Sequence, residues 1–491
     1  MREPYKLVVE DNEVRGLTEL SFQPDCTTRL ARAFGQLVKE RFATKRERAR
    51  IAVGYDARST SPALANGLIR GLSAEGIHVL DLGLVPAPVL YYAIRSLKLE
   101  GGIVITGSHR PTGWNGARLY MGRQPLDASV TEYVVSQSRM LPNMAILPMI
   151  GQVTSLHFIP DYIRAIEREF EPIRKTIEKK PIHVVVSTGN GASSLTCPQL
   201  LQRLGCRIVK YSCNTGARSE TARFDTNDAA WAREVGATVR AADADLGILI
   251  DGDGDRVRVL DHTGELVRPD LLFLLFSQSI GDRCRGARVA SDLRRTDLLD
   301  ECVRSWNGRL LTVSSGHTAR MDLVHMGNVK LAASYEGHYH FADRFLGFDD
   351  ATYASLRLVE YLARVRTEKP GTTLRDLIPH EERFQSPLKR VVLRDERSIL
   401  NTLGDILREA KKDEPFIEGI LEDHDRMIRV SAPGGWGVVR HEPETRTVSL
   451  FYEADGEDTF LALGDLLRDA VSSAQDVLFH QRSKEDIPLE S

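Results

Sequence analysis

The chain has no apolar run approaching the roughly 18 residues that a membrane span needs. It has no Cys-x-x-Cys pair and almost no excess of one charge: 65 Lys and Arg stand against 68 Asp and Glu, a formal net charge of −3. The first absence excludes a helical membrane span. The second leaves six scattered cysteines (Cys26, Cys197, Cys206, Cys213, Cys284, Cys302), which read as buried thiols of a reducing compartment. The third provides no general basic field for nucleic acid or an anionic membrane. The first residues, Met1-Arg2-Glu3-Pro4-Tyr5-Lys6, have no signal-peptide h-region. The expectation is a cytoplasmic protein without nucleic-acid or membrane partners, and no large hydrophobic stripe lies outside the predicted cores.

What is present is ordinary globular composition, 42% apolar and 27% charged. A length of 491 residues accommodates three or four domains of about 100–200 residues each. After Arg15-Gly16 an amphipathic helix starts near Cys26, with Leu30, Ala33, Phe34, Leu37 and Val38 on one face and Asp25 or Thr27 as its cap. Strand Ile51–Tyr55, a helix over Pro62–Ala74, strand Gly76–Leu80 and a helix over Val89–Leu97 follow. Such alternation predicts parallel pairing with right-handed crossovers. The layout recurs from Ile182 to Val209, around the turn Thr188-Gly189-Asn190-Gly191, and again from Arg288 to Val313. Spacing of this size indicates related domains rather than a solenoid. Near Pro379 the pattern changes to short strands (Val391–Leu393, Met427–Val430, Trp436–Val439, Val448–Tyr452) with two helical segments, and residues from about Ser483 are expected to fray.

Two stretches carry chemistry. Thr106-Gly107-Ser108-His109-Arg110-Pro111 follows the β-branched run Gly102–Ile105, so Ser108 sits where a strand gives way to a loop. Ligands collect at the carboxyl ends of strands in open α/β sheets. A hydroxyl there can carry a phosphoryl group, although Ser, Pro and Gly also make plain turns. Asp251-Gly252-Asp253-Gly254-Asp255-Arg256 follows Leu246–Ile250. Three carboxylates at alternate positions can converge on one hard cation. An EF-hand is excluded, because Arg256 and His262 occupy the positions that need Gly and Glu. His338 and His340 have no Cys or His at zinc-site spacing and read as structural.

Together with Gly337-His338 and Phe341-Ala342-Asp343-Arg344, these two motifs resemble the α-D-phosphohexomutases, most closely the bacterial phosphomannomutase/phosphoglucomutase branch. Val85–Tyr92 and Leu346–Ala351 extend the resemblance, which runs from Arg15-Gly16 to Phe451-Tyr452-Glu453-Ala454. It implies three similar mixed-sheet α/β domains plus a smaller C-terminal α+β domain around a central cleft. The bounds expected are 1–150 for the serine loop, 151–265 for the metal loop, 266–377 for the sugar-recognition loop and 378–491 for a diverged phosphate loop.

The resemblance further implies a phosphoserine that exchanges its phosphoryl group with a hexose phosphate through a bisphosphorylated intermediate. Ser108 is the implied carrier, and Mg²⁺ the implied cofactor, held by Asp251, Asp253, Asp255 and Ser108. His109, Arg118 and His338 complete the implied catalytic set; Arg15, Arg256, Arg294, His317, Ser334, Glu336, Arg440 and Thr445 face substrate. His109 and Arg256 are expected to supply cationic or donor groups. Three departures stand out. Arg118 replaces the family's usual lysine, and a guanidinium is a poor base but a good electrostatic stabiliser. Ser334-Tyr335-Glu336-Gly337-His338 exchanges the acid and hydroxyl of the usual sugar loop. Arg440-His441-Glu442-Pro443-Glu444-Thr445 puts two carboxylates where phosphate donors normally stand, and a carboxylate about 4 Å from a phosphate oxygen costs on the order of 4 kcal/mol at an effective dielectric of 20. A mutase acting on mannose or glucose phosphates is therefore weighed against a diverged paralogue that binds sugar phosphate or a protein without turnover, and against a phosphatase-like enzyme that loses the intermediate.

Overall fold

A computed structural model describes residues 7–42, 48–142, 150–216, 223–314, 316–379, 383–394, 399–413, 415–423, 426–442 and 446–485. The chain forms two compact units: Met1–Val289 with Asp297–Arg309 and Gly316–Ile378, and Ala290–Thr296 with Leu310–Ser315 and Pro379–Ser491. No helix among the described residues is long and apolar enough to cross a membrane.

The first sheet runs in the order Val8–Glu10, Glu13–Leu17, Trp114–Met121, Gly101–Ile105, Arg50–Tyr55, His78–Leu84, Val153–Ser155, with Gln124–Pro125 folded back on Trp114–Met121. Arg50–Tyr55 pairs in parallel with both His78–Leu84 and Gly101–Ile105. Helix Pro24–Phe42 begins with proline at a position where a missing N–H is harmless. The expected caps therefore lie inside the helix: Asp25 is in its first turn, and Thr27 Oγ1 donates to the carbonyl oxygens of Pro24 and Leu64. This helix packs on Ser61–Ala74 so closely that a Cβ on Gly71 would stand 2.3 Å from the Thr28 carbonyl oxygen. Leu30, Phe34, Leu64 and Leu68 bury their side chains against Ile51, Val53 and Ile103 of the sheet.

The second sheet runs Arg207–Tyr211, His183–Ser187, Leu246–Ile250, Val257–Leu260, Leu266–Val267. The third runs Arg309–Thr312, Arg288–Ser291, Val329–Ala333, Tyr339–Phe341. The expectation of parallel pairing holds for part of the first and second sheets. Gly101–Ile105, Leu246–Ile250 and Val329–Ala333 each turn back into an antiparallel neighbour, because the loops that follow them are too short for a crossover helix. The loops at 106–113, 251–256 and 334–338 thus occupy equivalent places in three repeated sheets. They are the serine, aspartate and sugar-loop motifs.

The second unit holds a six-stranded antiparallel sheet in the order Phe384–Gln385, Thr447–Ala454, Gly435–Glu442, Met427–Ala432, Gly419–Asp423, with Lys389–Val392 also on Thr447–Ala454. Leu403 and Leu407 of helix Ile399–Asp413, with Leu463 and Leu467 of Glu457–Glu485, cluster with Val430, Val439 and Leu450. The terminal helix reaches Glu485, two residues past Ser483; the rest of the stretch expected to fray, 486–491, lies outside the described residues. All six cysteines are free.

Candidate active site

Ser108 opens the site. It is fully buried and adopts φ of +45°, a left-handed conformation uncommon outside glycine. Thr106 Oγ1 accepts from the Ser108 N–H at 2.7 Å and donates to Asp253 Oδ2 at 3.0 Å. Asp56 Oδ2 accepts from the Gly107 N–H at 3.0 Å. This wiring sets Ser108 Oγ 3.5 Å from Asp251 Oδ2 and 3.3 Å from His109 Nδ1. Burial and the cations Arg256 and Arg110 push His109 well below the usual histidine range, so its ring is neutral. Of the two roles expected for His109, cation or hydrogen-bonding donor, the neutral ring leaves the second.

Asp251, Asp253 and Asp255 are all fully buried, each with a carboxylate oxygen within 4.8 Å of the others. Gly254 takes φ of +86°, the reversal that lets the three side chains converge. Asp251 Oδ1 accepts from the N–H groups of Gly254 and Arg256, both at 3.1 Å. Asp253 Oδ1 and Asp255 Oδ1 have no hydrogen-bond partner among the described residues. Burial, then repulsion from Asp255 and Asp253, drives the Asp251 carboxyl well up. Burial raises Asp253 too, whereas for Asp255 the pull of Arg118 and His338 outweighs burial and lowers it. Crowded carboxylates, two of them with an oxygen that no described donor reaches, suit a hard cation, so this trio could hold a metal.

Arg118 spans that trio. Its guanidinium, 2% exposed, pairs with Asp255 and with Glu13, and lies 3.4 Å from Asp253 Oδ2. These carboxylates outweigh burial and hold it charged, as its chemistry predicts. Arg15, 1% exposed, turns to Glu13 Oε2 at 2.6 Å and to the Thr106 carbonyl. Sequence reasoning missed Glu13. Its signal was strand period, since Glu13 and Arg15 share a face and Glu13 registers opposite Arg118.

A second polar cluster lies on the third sheet. The sugar loop closes as a tight turn, Gly337 N–H to Ser334 O at 3.0 Å, and is stitched to the aspartate loop by Val257 N–H to Gly337 O. Arg256 Nε donates to His338 Nε2 at 2.9 Å and sits 4.0 Å from both Asp251 and Asp255. His338 Nδ1 lies 2.7 Å and His317 Nδ1 3.0 Å from one oxygen of Asp349, with His340 at 3.9 Å. His338 and His340 thus acquire partners, His317 and Asp349, that no local spacing reveals. Burial lowers His338 and His340, while Asp349 overcomes burial at His317 and raises it. Ser334 is 2% exposed with Oγ free of partners among the described residues, and Glu336 lies near enough to stabilise the charge of Arg256.

The first unit therefore gathers Arg15, Ser108, His109, Arg118, Asp251, Asp253, Asp255, Arg256, His317, Ser334, Glu336 and His338. Arg294 and Arg440 belong to the second unit. There Arg294 Nη2 pairs with Asp292 at 2.8 Å, Arg440 lies on strand Gly435–Glu442, and Glu442 is 3.6 Å from Arg390 Nε. Pro443, Glu444 and Thr445 lie outside the described residues.

Three α/β repeats followed by an antiparallel α+β unit, with a buried serine beside three aspartates, define a phosphoryl-transfer class of fold. Comparison makes this specific. The chain matches phosphoglucomutase/phosphomannomutase alpha/beta/alpha domain I over residues 6–139, domain II over 160–264 and domain III over 268–382. It is 30% identical over 429 residues to a phosphomannomutase/phosphoglucomutase of Pseudomonas aeruginosa, covering 87% of this chain and 88% of the relative. A Neisseria meningitidis phosphoglucomutase is 26% identical over 90% and 92%. A crystal structure of a phosphoglucomutase/phosphomannomutase family protein from Burkholderia thailandensis superposes with a TM-score of 0.80 at 26% identity, over 96% of this chain and 98% of that one. The chain belongs to the α-D-phosphohexomutase superfamily and is an intramolecular phosphotransferase, an isomerase of the phosphomannomutase/phosphoglucomutase type.

Proposed function

We propose that this enzyme interconverts hexose 6-phosphate and hexose 1-phosphate, of mannose or glucose, through a phosphoserine at Ser108 and a bisphosphorylated intermediate. The observation that carries the proposal is the 3.5 Å approach of Ser108 Oγ to Asp251 Oδ2 inside the aspartate trio. Mg²⁺ fits the unpartnered oxygens of Asp253 and Asp255, with Asp251 and a phosphoserine oxygen as further ligands. When bound it neutralises charge on the transferring phosphoryl group. The relative from Pseudomonas aeruginosa carries both activities in its name.

In the forward direction the phosphorus–oxygen bond to Ser108 breaks and one to a sugar hydroxyl forms, the hydroxyl proton leaving to a base and the freed Ser108 Oγ taking up a proton by way of His109, 3.3 Å away. On the return the freed sugar oxygen takes the proton back from that base. Arg118 cannot be that base; its charge steadies the phosphoryl oxygens. His338, neutral and held by Asp349 through Nδ1, is the better acceptor once Arg256, which donates to its Nε2 at 2.9 Å, turns to the phosphoryl group. The bisphosphate then turns and returns its other phosphoryl group to Ser108, whose proton His109 Nδ1 accepts at 3.3 Å. Arg15 steadies the serine loop through Thr106. Arg256, His317, Ser334 and Glu336 address the sugar, and Arg294, Arg440 and Thr445 complete the substrate set on the second unit. The same reading divides the chain at 150, 265 and 377.

One observation favours a second reading. Arg118 is already paired to Asp255 of the metal loop, as in a paralogue that binds sugar phosphate without turnover. Coupled assays on mannose 1-phosphate and glucose 1-phosphate, with Mg²⁺ and a hexose bisphosphate activator, separate the two. Isomerisation supports the mutase; binding without isomerisation supports the paralogue.

A further inference from the structure

Arg58 has no role in the reading above, yet it is built into the serine loop more thoroughly than any residue named there. Its guanidinium, 5% exposed, donates to four carbonyl oxygens of one loop: Nη2 to Ser108 at 2.8 Å and Arg110 at 2.5 Å, Nη1 to Pro111 and Trp114, each at 3.1 Å. One planar fork thus satisfies four backbone acceptors that a strand or helix would otherwise pair. Its central carbon stands 4.0 Å above the centre of the Phe224 ring, and a Cβ at residue 107 would stand 2.3 Å from it, so any side chain there would displace the guanidinium. Asp56 ties the two ends together, 3.4 Å from Arg58 Nε and accepting from the Gly107 N–H at 3.0 Å.

The loop so gripped contains the left-handed Ser108, φ +45°. A non-glycine residue in that region persists only when its surroundings over-determine it. We infer that Arg58 is a positioning residue for phosphoryl transfer: its guanidinium, stacked on Phe224 and paired with Asp56, clamps the 106–114 loop in the strained form that aims Ser108 Oγ at the aspartate trio. The inference rests on Ser108 being the phosphoryl carrier. Arg58 makes no hydrogen bond to Asp251, Asp253 or Asp255 among the described residues; its charge feels Asp253, but its direct contacts are with the loop, Asp56 and Phe224. A lysine cannot replace it, because one ammonium point cannot serve four carbonyls splayed across seven residues.

The test uses the full-length wild type, Arg58→Lys and Phe224→Leu, with kinetics, Mg²⁺ titration, thermal melting and amide hydrogen exchange of the 106–114 peptide. For Arg58→Lys the clamp predicts a fall in kcat of about 100-fold, the scale of a reacting group misplaced by an ångström, with KM little changed. Exchange in 106–114 should quicken by at least about tenfold while the peptide over 183–187 and the Mg²⁺ affinity stay as in the wild type. Phe224→Leu, which keeps the fork and loses the stacked ring, should fall between the two in both readouts. Wild-type kcat and wild-type exchange in Arg58→Lys overturn the inference. So does an Arg58→Lys variant that loses exchange protection throughout the domain, because the role is then general stability. A wild type that neither isomerises hexose phosphates nor carries phosphate on Ser108 removes the proposed function, and loop exchange then still decides whether the clamp exists.

Discussion

Ser108 Oγ lies 3.5 Å from Oδ2 of Asp251, although 143 residues separate them in sequence. Two β-hairpin loops from different sheets meet there, and every electrostatic feature of the site is arranged around that meeting. Asp251 is the carboxylate most penalised by its two neighbours. Removing its charge by Asp251→Asn should weaken Mg²⁺ binding and lower kcat by about 10²- to 10³-fold, the scale of losing one preorganised electrostatic group. Mg²⁺ titration followed by steady-state kinetics checks this; a variant with unchanged metal affinity contradicts the assignment of Asp251 as a ligand.

Arg118 supplies positive charge to Glu13, Asp253 and Asp255. Arg118→Met leaves these buried carboxylates uncompensated, and breaking a buried pair from one side costs about 3–5 kcal/mol. A divalent cation restores part of that charge. Thermal melts in EDTA and in Mg²⁺ should show a larger Mg²⁺-induced rise in Tm for the variant than for the wild type, by mass action on the native state. Equal rises in both proteins would mean that Arg118 and the cation do not share the same carboxylates.

Asp349 holds His338 at 2.7 Å and His317 at 3.0 Å through one oxygen. Asp349→Asn keeps the shape and loses the charge that orients both rings. The expected result is a fall in kcat on the order of 10- to 100-fold, as for other partners that orient a functional histidine, with melting temperature changed little. Circular dichroism and kinetics on the same sample measure both.

Asp350, the next residue, behaves oppositely. It caps helix Ala351–Glu368 by accepting from the Tyr353 N–H at 2.9 Å and takes the Tyr162 hydroxyl at 2.7 Å, yet burial pushes its carboxyl up to about 7. Below about pH 4 both folded and unfolded chains hold the proton. Between about pH 4 and pH 7 the unfolded chain has released it while the native state keeps it, so this residue erodes stability as pH rises, and the loss is complete above about pH 7. Asp350→Asn, which carries no charge at any pH, should therefore gain on the wild type steadily across that window, by about 4 kcal/mol at its upper end at 1.36 kcal/mol per pKa unit. Urea melts at pH 4.5, 6 and 7.5 measure it; a difference that shrinks with rising pH contradicts the raised carboxyl.

Much of this was legible in the chain. Gly102–Ile105 and Leu246–Ile250 read as buried strands because they are short, apolar and β-branched, and the loops after them announced themselves by Gly, Pro and alternating Asp. Long-range partners were not legible. Glu13 carries no local mark of its role; only register sets it opposite Arg118. Asp349 was legible only as part of the Leu346–Ala351 motif, although it gathers three histidines. Arg58 sat in an ordinary polar turn, and nothing local marks a side chain that will answer four carbonyls some fifty residues away. Strand alternation also overstated parallel pairing, since loop length rather than strand composition decides where a hairpin forms.

The most direct test of the account is the intact mass of the purified enzyme before and after hexose 1-phosphate is added in Mg²⁺, with Ser108→Ala alongside. The account predicts one phosphoryl adduct on the wild type, located to Ser108, discharged on sugar phosphate during isomerisation, and neither adduct nor turnover in the variant. Isomerisation that persists in Ser108→Ala, or a phosphoryl group carried elsewhere, would contradict it.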